Sequence, residues 1–191
     1  MPKEEETEGK MHSTWKQIGA SLVLILLAVG GRTVFHVGPN IELLTTSTLL
    51  ASTYLRRKIA FFVPLVSVAL SDLLLGNSSI YLFTWSAWIA IGVLSMFLRG
   101  VRYKKGRTVA YATGWSVGTT CVFFLWTNFG VWLEGWYGPT ITGLFLSYYR
   151  GIPFLLNQLA GNLLFVPLFF LITETSFFLL TEKTRILSLR P

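Results

Sequence analysis

The sequence predicts an all-α integral membrane protein: a bundle of six transmembrane helices, with a short interfacial or re-entrant helix between the fifth and the sixth. Three observations predict it. Only 13% of the 191 residues are charged and 52% are hydrophobic, whereas a soluble domain carries about 25% charged residues. Apolar runs long enough to cross a bilayer recur between short loops that carry the basic, glycine and proline residues. Mean hydropathy is +0.58. The net charge of +7 does not point to nucleic acid, and no nucleic-acid partner is expected, because the basic residues sit where they orient membrane helices.

Taken in order, residues 1–14 hold Glu4, Glu5, Glu6 and Glu8 with Lys3 and Lys10 and are expected as a disordered cytoplasmic tail. Residues 15–191 are expected as a single transmembrane domain. Helix 1 is expected over 15–33. Gly38 and Pro39 break the chain in the loop that follows. Helix 2, over 41–55, is short and weakly apolar, with Thr45, Thr46, Ser47 and Thr48 in one run; it is expected to be shielded from lipid by its neighbours. Arg56, Arg57 and Lys58 end it. Helix 3, over 59–75, contains Pro64, a kink position. Helix 4 is expected over 80–98 and helix 5 over 109–133, separated by a loop with Arg99, Arg102, Lys104, Lys105 and Arg107. Gly135, Gly138 and Pro139 break the chain again. Residues 140–149 are apolar and aromatic but too short to span, which gives the interfacial or re-entrant segment. Helix 6 is expected over 152–172, followed by an amphipathic tail.

Six spans place both termini on one side. Of the 16 Lys and Arg residues, 14 then fall on that side and only Arg32 and Arg150 on the other. Positive charge marks the cytoplasmic face, so a multi-pass protein of the plasma membrane with both termini cytoplasmic is expected, with the lipid bilayer as its first partner.

This orientation gathers polar groups at the outer end. Asp72, the only Asp of the chain, lies roughly 5 Å inside the outer end of helix 3, and Asn128 roughly 8 Å inside that of helix 5. A carboxylate at membrane depth costs at least ~2.5 kcal/mol and needs a partner. Arg32 is the candidate for a structural pair with Asp72; capping of the next turn and direct ligand contact are the alternatives. Asn128 is an interhelical hydrogen-bonding group or a ligand contact, and Asn157 and Asn162 are open to both readings. Trp85 and Trp88, with Trp132, form an outer aromatic belt or stacking walls for a flat ligand. Ala110, Gly114 and Gly118 have the four-residue spacing that lets helices pack closely.

Several chemistries have no motif here. There is no phosphate-cradling Gly-x-x-x-x-Gly-Lys-Ser/Thr loop, no His-Glu-x-x-His, no Cys-x-x-Cys and no Gly-x-Ser-x-Gly. With two His, one Cys and one Asp, no metal site and no cofactor is expected, and an enzyme is not.

The segments Ala60-Phe61-Phe62-Val63-Pro64-Leu65, Ser71-Asp72-Leu73-Leu74-Leu75-Gly76, Thr127-Asn128-Phe129-Gly130-Val131-Trp132 and Gly143…Tyr148…Pro153-Phe154 resemble a family of small uncharacterised bacterial membrane proteins. That family is similar to the substrate-binding S components of energy-coupling-factor transporters. The resemblance implies a six-helix bundle that captures a vitamin or similar micronutrient from outside. It also implies separate partners, a membrane scaffold protein and two ATPase subunits, that drive release. It further implies a pocket near the outer face, with His36, Gly38, Pro39 and Asn40 in the gate loop, Asp72 to Asn77 as loop 3 and Asn128 to Trp136 as loop 5. Together with the outer polar and aromatic groups above, this makes Trp85, Trp88, Asn128, Trp132, Asp72 and Asn157 the candidate binding residues. The match departs at helix 1, where S components carry an Ala-x-x-x-Ala docking pattern and this chain reads Ala20, Leu24, Ala28. A membrane protein that packs or interacts without transport is the alternative.

With Cys121 removed, single cysteines at Ser13 and Ser188 are expected to resist an impermeant thiol reagent in whole cells, and one at Ser78 to react. Labelling at Ser188 but not Ser13 would mean an odd number of crossings.

Overall fold

The computed structural model describes residues 2–34, 41, 43–76, 79–101 and 107–188. The gate-loop positions His36, Gly38, Pro39 and Asn40 lie outside them. Six α-helices follow one another, and no strand occurs among the described residues: α1 (Pro2–Thr33), α2 (Leu44–Tyr54), α3 (Arg57–Leu75), α4 (Tyr81–Ser95), α5 (Thr108–Leu133) and α6 (Ile141–Ser188), with a 3-10 segment, Met96–Val101, after α4. Among the described residues, five stretches are long and apolar enough to cross a membrane: Ser13–Thr33, Arg57–Leu75, Tyr81–Arg99, Thr108–Leu133 and Ile141–Leu180. The chain reads as an all-α, multi-pass membrane protein.

The sixth helix, α2, is the centre of the bundle. Its 11 residues rise only ~16 Å, yet α2 packs against every other helix. All its residues from Leu44 to Thr53 are buried, as its Thr and Ser content predicts. Hydroxyls without a partner are costly in hydrocarbon, and among the described residues Thr46 Oγ1 and Ser52 Oγ of this helix have none. Thr48 and Thr53 donate to the carbonyls of Leu44 and Leu49, both at 2.8 Å, and Thr45 accepts from Asn162 Nδ2 of α6 at 3.3 Å. The same Asn162 nitrogen donates to Thr120 Oγ1 of α5 at 2.8 Å, so one amide joins three helices. The outward faces are the reverse: Leu73, Leu74, Phe97, Leu125, Leu164 and Phe178 are exposed. Polar inside and apolar outside is the arrangement that lipid imposes.

Two ends are defined by contacts. Gly31 of α1 lies against Leu43 just before α2. At the other end the backbone N–H of Arg56, just after α2, donates to Gln17 Oε1 of α1 at 2.8 Å. The segment 43–56 therefore covers nearly the same depth as residues 17–31 of α1. Apolar packing follows in layers: Ala28, Leu44, Val68, Trp88 and Ile91 toward the Arg32 end, and Leu49, Leu50, Leu98, Ala112, Val166 and Phe170 toward the Arg56 end. Tyr54 there donates to Glu174 Oε1.

Helix α1 begins at Pro2, before the expected start at residue 15; Glu and Lys are good helix formers, and early glutamates suit the positive end of the helix dipole. Two expectations need correction. No separate helix precedes helix 6, because α6 is one helix of 48 residues beginning at Ile141. Its start is set by Thr140, whose Oγ1 accepts from Gly143 N at 3.0 Å, an N-cap bond. Pro153, expected near the start of helix 6, instead lies inside α6. Ala110, Gly114 and Gly118 do not pack against another helix. They are exposed, and a Cβ added at Gly114 or Gly118 would meet nothing within 4 Å. The buried face of α5 carries Ala112, Ser116, Thr119 and Thr120, and a two-residue offset is about 200° around the helix.

Asn162→Ala should lower stability by ~0.6–1.7 kcal/mol, the range for interhelical hydrogen bonds in membranes, read as a drop in unfolding temperature in detergent. Gly114→Ala should stay within about 0.5 kcal/mol of the wild type. A larger loss at Gly114 would place the stripe inside a contact.

Candidate functional site

The Arg32 end holds two polar groupings, and the sequence had merged them into one. The first is a clamp between α1, α3 and α4. Arg32 Nη1 lies 3.2 Å from Asp72 Oδ1, and it also donates to Ser71 Oγ. Ser71 donates in turn to the carbonyl of Ser67 at 2.8 Å. The second carboxylate oxygen, Asp72 Oδ2, accepts from Trp85 Nε1 at 2.7 Å. Both oxygens of the carboxylate are thus engaged by side chains of two other helices. The arginine and aspartate side chains keep 16% and 10% exposure. Trp85 is spent on this clamp.

The second grouping lines a cavity of about 310 Å³ under the connection between α5 and α6. The tip of α1 supplies Arg32, α4 supplies Thr84, α5 supplies Phe124, Thr127 and Asn128, and α6 supplies Ser147, Arg150, Gly151, Phe154 and Gln158. Trp136 and Tyr137 of the connection border it as well. The connection is folded by Gly135 and Gly138, whose φ values of 77° and 81° lie in the left-handed region that glycine adopts freely. It is tied down at two points: Trp132 Nε1 donates to the carbonyl of Thr140 at 2.9 Å, and Trp136 Nε1 to Ser79 Oγ at 3.1 Å.

The α6 residues that reach the cavity recur at 147, 150, 151, 154, 155 and 158, the spacing of one helical face. Gly151 is required there: a Cβ would sit 2.3 Å from Asn128 Oδ1. Most polar groups of the lining satisfy themselves on backbone. Thr127 donates to the carbonyl of Phe123 and Asn128 Nδ2 to that of Phe124, both at 2.8 Å. Ser147 donates to the carbonyl of Asn128 at 2.6 Å. Three side chains do not: Tyr137, Arg150 and Gln158 make no hydrogen bond or ion pair with a described residue, although Gln158 is only 3% exposed.

The expected binding residues therefore separate. Asn128 lines the cavity. Asp72 and Trp85 belong to the clamp beside it. Trp88 is 1% exposed and packs in the core with its ring 5.5 Å from Phe123, so it is neither wall nor interfacial belt. Trp132 fastens the connection. Asn157 is half-buried and one position away from Gln158, about 100° off the cavity face. Gln158 and Arg150 were missed as site residues. The signal was available in the spacing Ser147, Gly151, Phe154, Gln158, Asn162, which places the polar groups of α6 on one side. No three His, Cys, Asp or Glu side chains come together among the described residues.

Residues 12–185 match a family described as "Family of unknown function (DUF6580)". The chain belongs to this family. The match includes α2 to α5, most of α1 and α6, and every described cavity residue. No curated protein and no solved structure matches the chain.

Asp72→Asn should destabilise the bundle by about 1–3 kcal/mol, below the ~3–5 kcal/mol of a fully buried pair, because Arg32 loses its counter-charge. Combining it with Arg32→Gln should recover part of that loss. Strict additivity in a double-mutant cycle would show that the two charges are not coupled.

Proposed function

We propose that this DUF6580 protein is a membrane-embedded substrate-binding protein of the S-component type, which captures a small micronutrient from the outer face. The reading includes six crossings, with α2 as the sixth, both termini cytoplasmic and the plasma membrane as the site. Support for six crossings is the depth match of segment 43–56 to α1. Support for the orientation is the 14-to-2 division of basic residues under the positive-inside rule.

One observation carries the binding role: the cavity of about 310 Å³ at the end opposite the basic loops, with aromatic walls and a few convergent polar groups. That composition is typical of small-molecule sites. The chain acts in this reading as a binding protein and not an enzyme, and release is energised by a separate membrane scaffold protein and two ATPase subunits. Docking through the helix 1 pattern is disfavoured, because Ala28 is fully buried in the core. A second reading, an interaction protein without transport, is favoured by the outward stripe of Ala110, Gly114 and Gly118 with nothing against it.

The test is mass spectrometry of small molecules released from the detergent-purified protein, followed by rebinding. Asn128→Ala should weaken rebinding about tenfold to a hundredfold, the worth of ~1–3 kcal/mol at one buried amide, with folding checked by thermal shift. Wild-type protein that carries and rebinds no small molecule would sink the transport reading and leave the interaction reading.

A further inference from the structure

We infer that the cavity is built for a small ring-bearing monocarboxylate, with Arg150 taking the carboxylate at the mouth and Gln158 reading a hydrogen-bonding group at the floor. This rests on the substrate-binding reading and adds the chemical class.

The charge balance of the lining comes first. Among the described residues, Arg32 and Arg150 reach the cavity and no Asp or Glu does. The positive charge of Arg32 is already met by Asp72 at 3.2 Å. Arg150 has no such partner among the described residues. The site therefore carries one uncompensated positive charge. A guanidinium fork suits carboxylate and phosphate alike, but a phosphate monoester brings about −1.5 to −2 charges and would leave the site negative. A single carboxylate balances it.

The floor gives the second, independent observation. Gln158 is 3% exposed, lines the cavity and makes no hydrogen bond with a described residue. A buried amide with no partner costs about 1–3 kcal/mol, and the cavity that Gln158 lines has room for one. Asn128 stands between, its Nδ2 committed to Phe124 and its Oδ1 accepting from no described residue. Arg150 and Gln158 are eight residues apart on α6, about 12 Å along its axis, so the ligand is elongated: charged at one end, polar at the other. Its body meets Phe124, Phe154 and Tyr137, whose ring faces accept a flat apolar group. The amide at the floor can donate and accept, which suits an amide, urea or hydroxyl head.

The experiment is thermal-shift titration of full-length wild type, Arg150→Gln and Gln158→Leu in detergent. The probes are indole-3-acetate, 4-phenylbutyrate and nicotinate, each beside its methyl ester, and phenyl phosphate. Arg150 is itself an exposed residue at the mouth of the cavity, so its variant should fold as the wild type does. At least one acid is expected to stabilise the wild type more than its ester. Arg150→Gln should weaken that acid about tenfold to a hundredfold while leaving the ester unchanged. Gln158→Leu should weaken acid and ester together. Esters that bind as well as acids, acids unaffected by Arg150→Gln, or phenyl phosphate preferred over every acid would overturn the monocarboxylate and leave the binding cavity standing. No stabilisation by any probe, charged or neutral, would count against the monocarboxylate; the co-purification experiment then decides separately whether the cavity binds anything at all.

Discussion

The rest of the structure depends on one constraint: a helix made largely of Ser and Thr must be kept out of hydrocarbon. Leu44–Tyr54 carries Thr45, Thr46, Ser47, Thr48, Ser52 and Thr53, all buried. Lipid offers no hydrogen bonds, so five longer apolar helices surround it. Thr48 and Thr53 bond to their own helix carbonyls and Thr45 to Asn162 of α6, while Thr46 Oγ1 and Ser52 Oγ are buried with no partner among the described residues. Because α2 is short, residues before and after it complete the passage between the two ends of α1. Small hydroxyl side chains also let neighbouring helices approach closely, as small residues do at membrane helix interfaces.

This arrangement separates stabilising polar groups from accessible ones. Around α2 the amide nitrogen of Asn162 is used, donating to both Thr45 and Thr120. The clamp of Arg32, Asp72, Ser71 and Trp85 is used in the same way, with both carboxylate oxygens occupied. One turn above Asn162 on α6, the amide of Gln158 has no such partner, and two turns above that Arg150 has none either. Along one face of one helix the polar groups change from structural to open as they approach the outer end. The cavity sits where that change occurs, roofed by a connection that Trp132 and Trp136 hold in place.

The long α6 explains why the expected boundaries failed near residue 150. Gly151 and Pro153 look like a break in the sequence, yet both lie inside the helix. Proline lacks only its own N–H, and glycine at 151 serves the close approach of Asn128. The real start is the Thr140 cap after Gly138 and Pro139. That cap places residues 141–151 alongside the end of α5, with Ser147 and Tyr148 bonded to the carbonyls of Asn128 and Leu125. A segment expected at the membrane surface thus becomes one wall of the cavity.

The sequence by itself determined the membrane class, the order of the main helices, the burial of α2 and the gathering of Arg32, Asp72 and Asn128 at one end. Each follows from local chemistry: hydropathy over a span's length, the cost of bare hydroxyls and charges in lipid, and glycine or proline breaks in the loops. Only the tertiary structure decided which face each residue presents. Trp88 went to the core, Trp85 to Asp72, Ala110 and its partners outward, and Gln158 instead of Asn157 to the cavity. Neighbouring positions on a helix differ by about 100°, so their roles depend on which other helices stand beside them, and that is set by packing over the whole bundle.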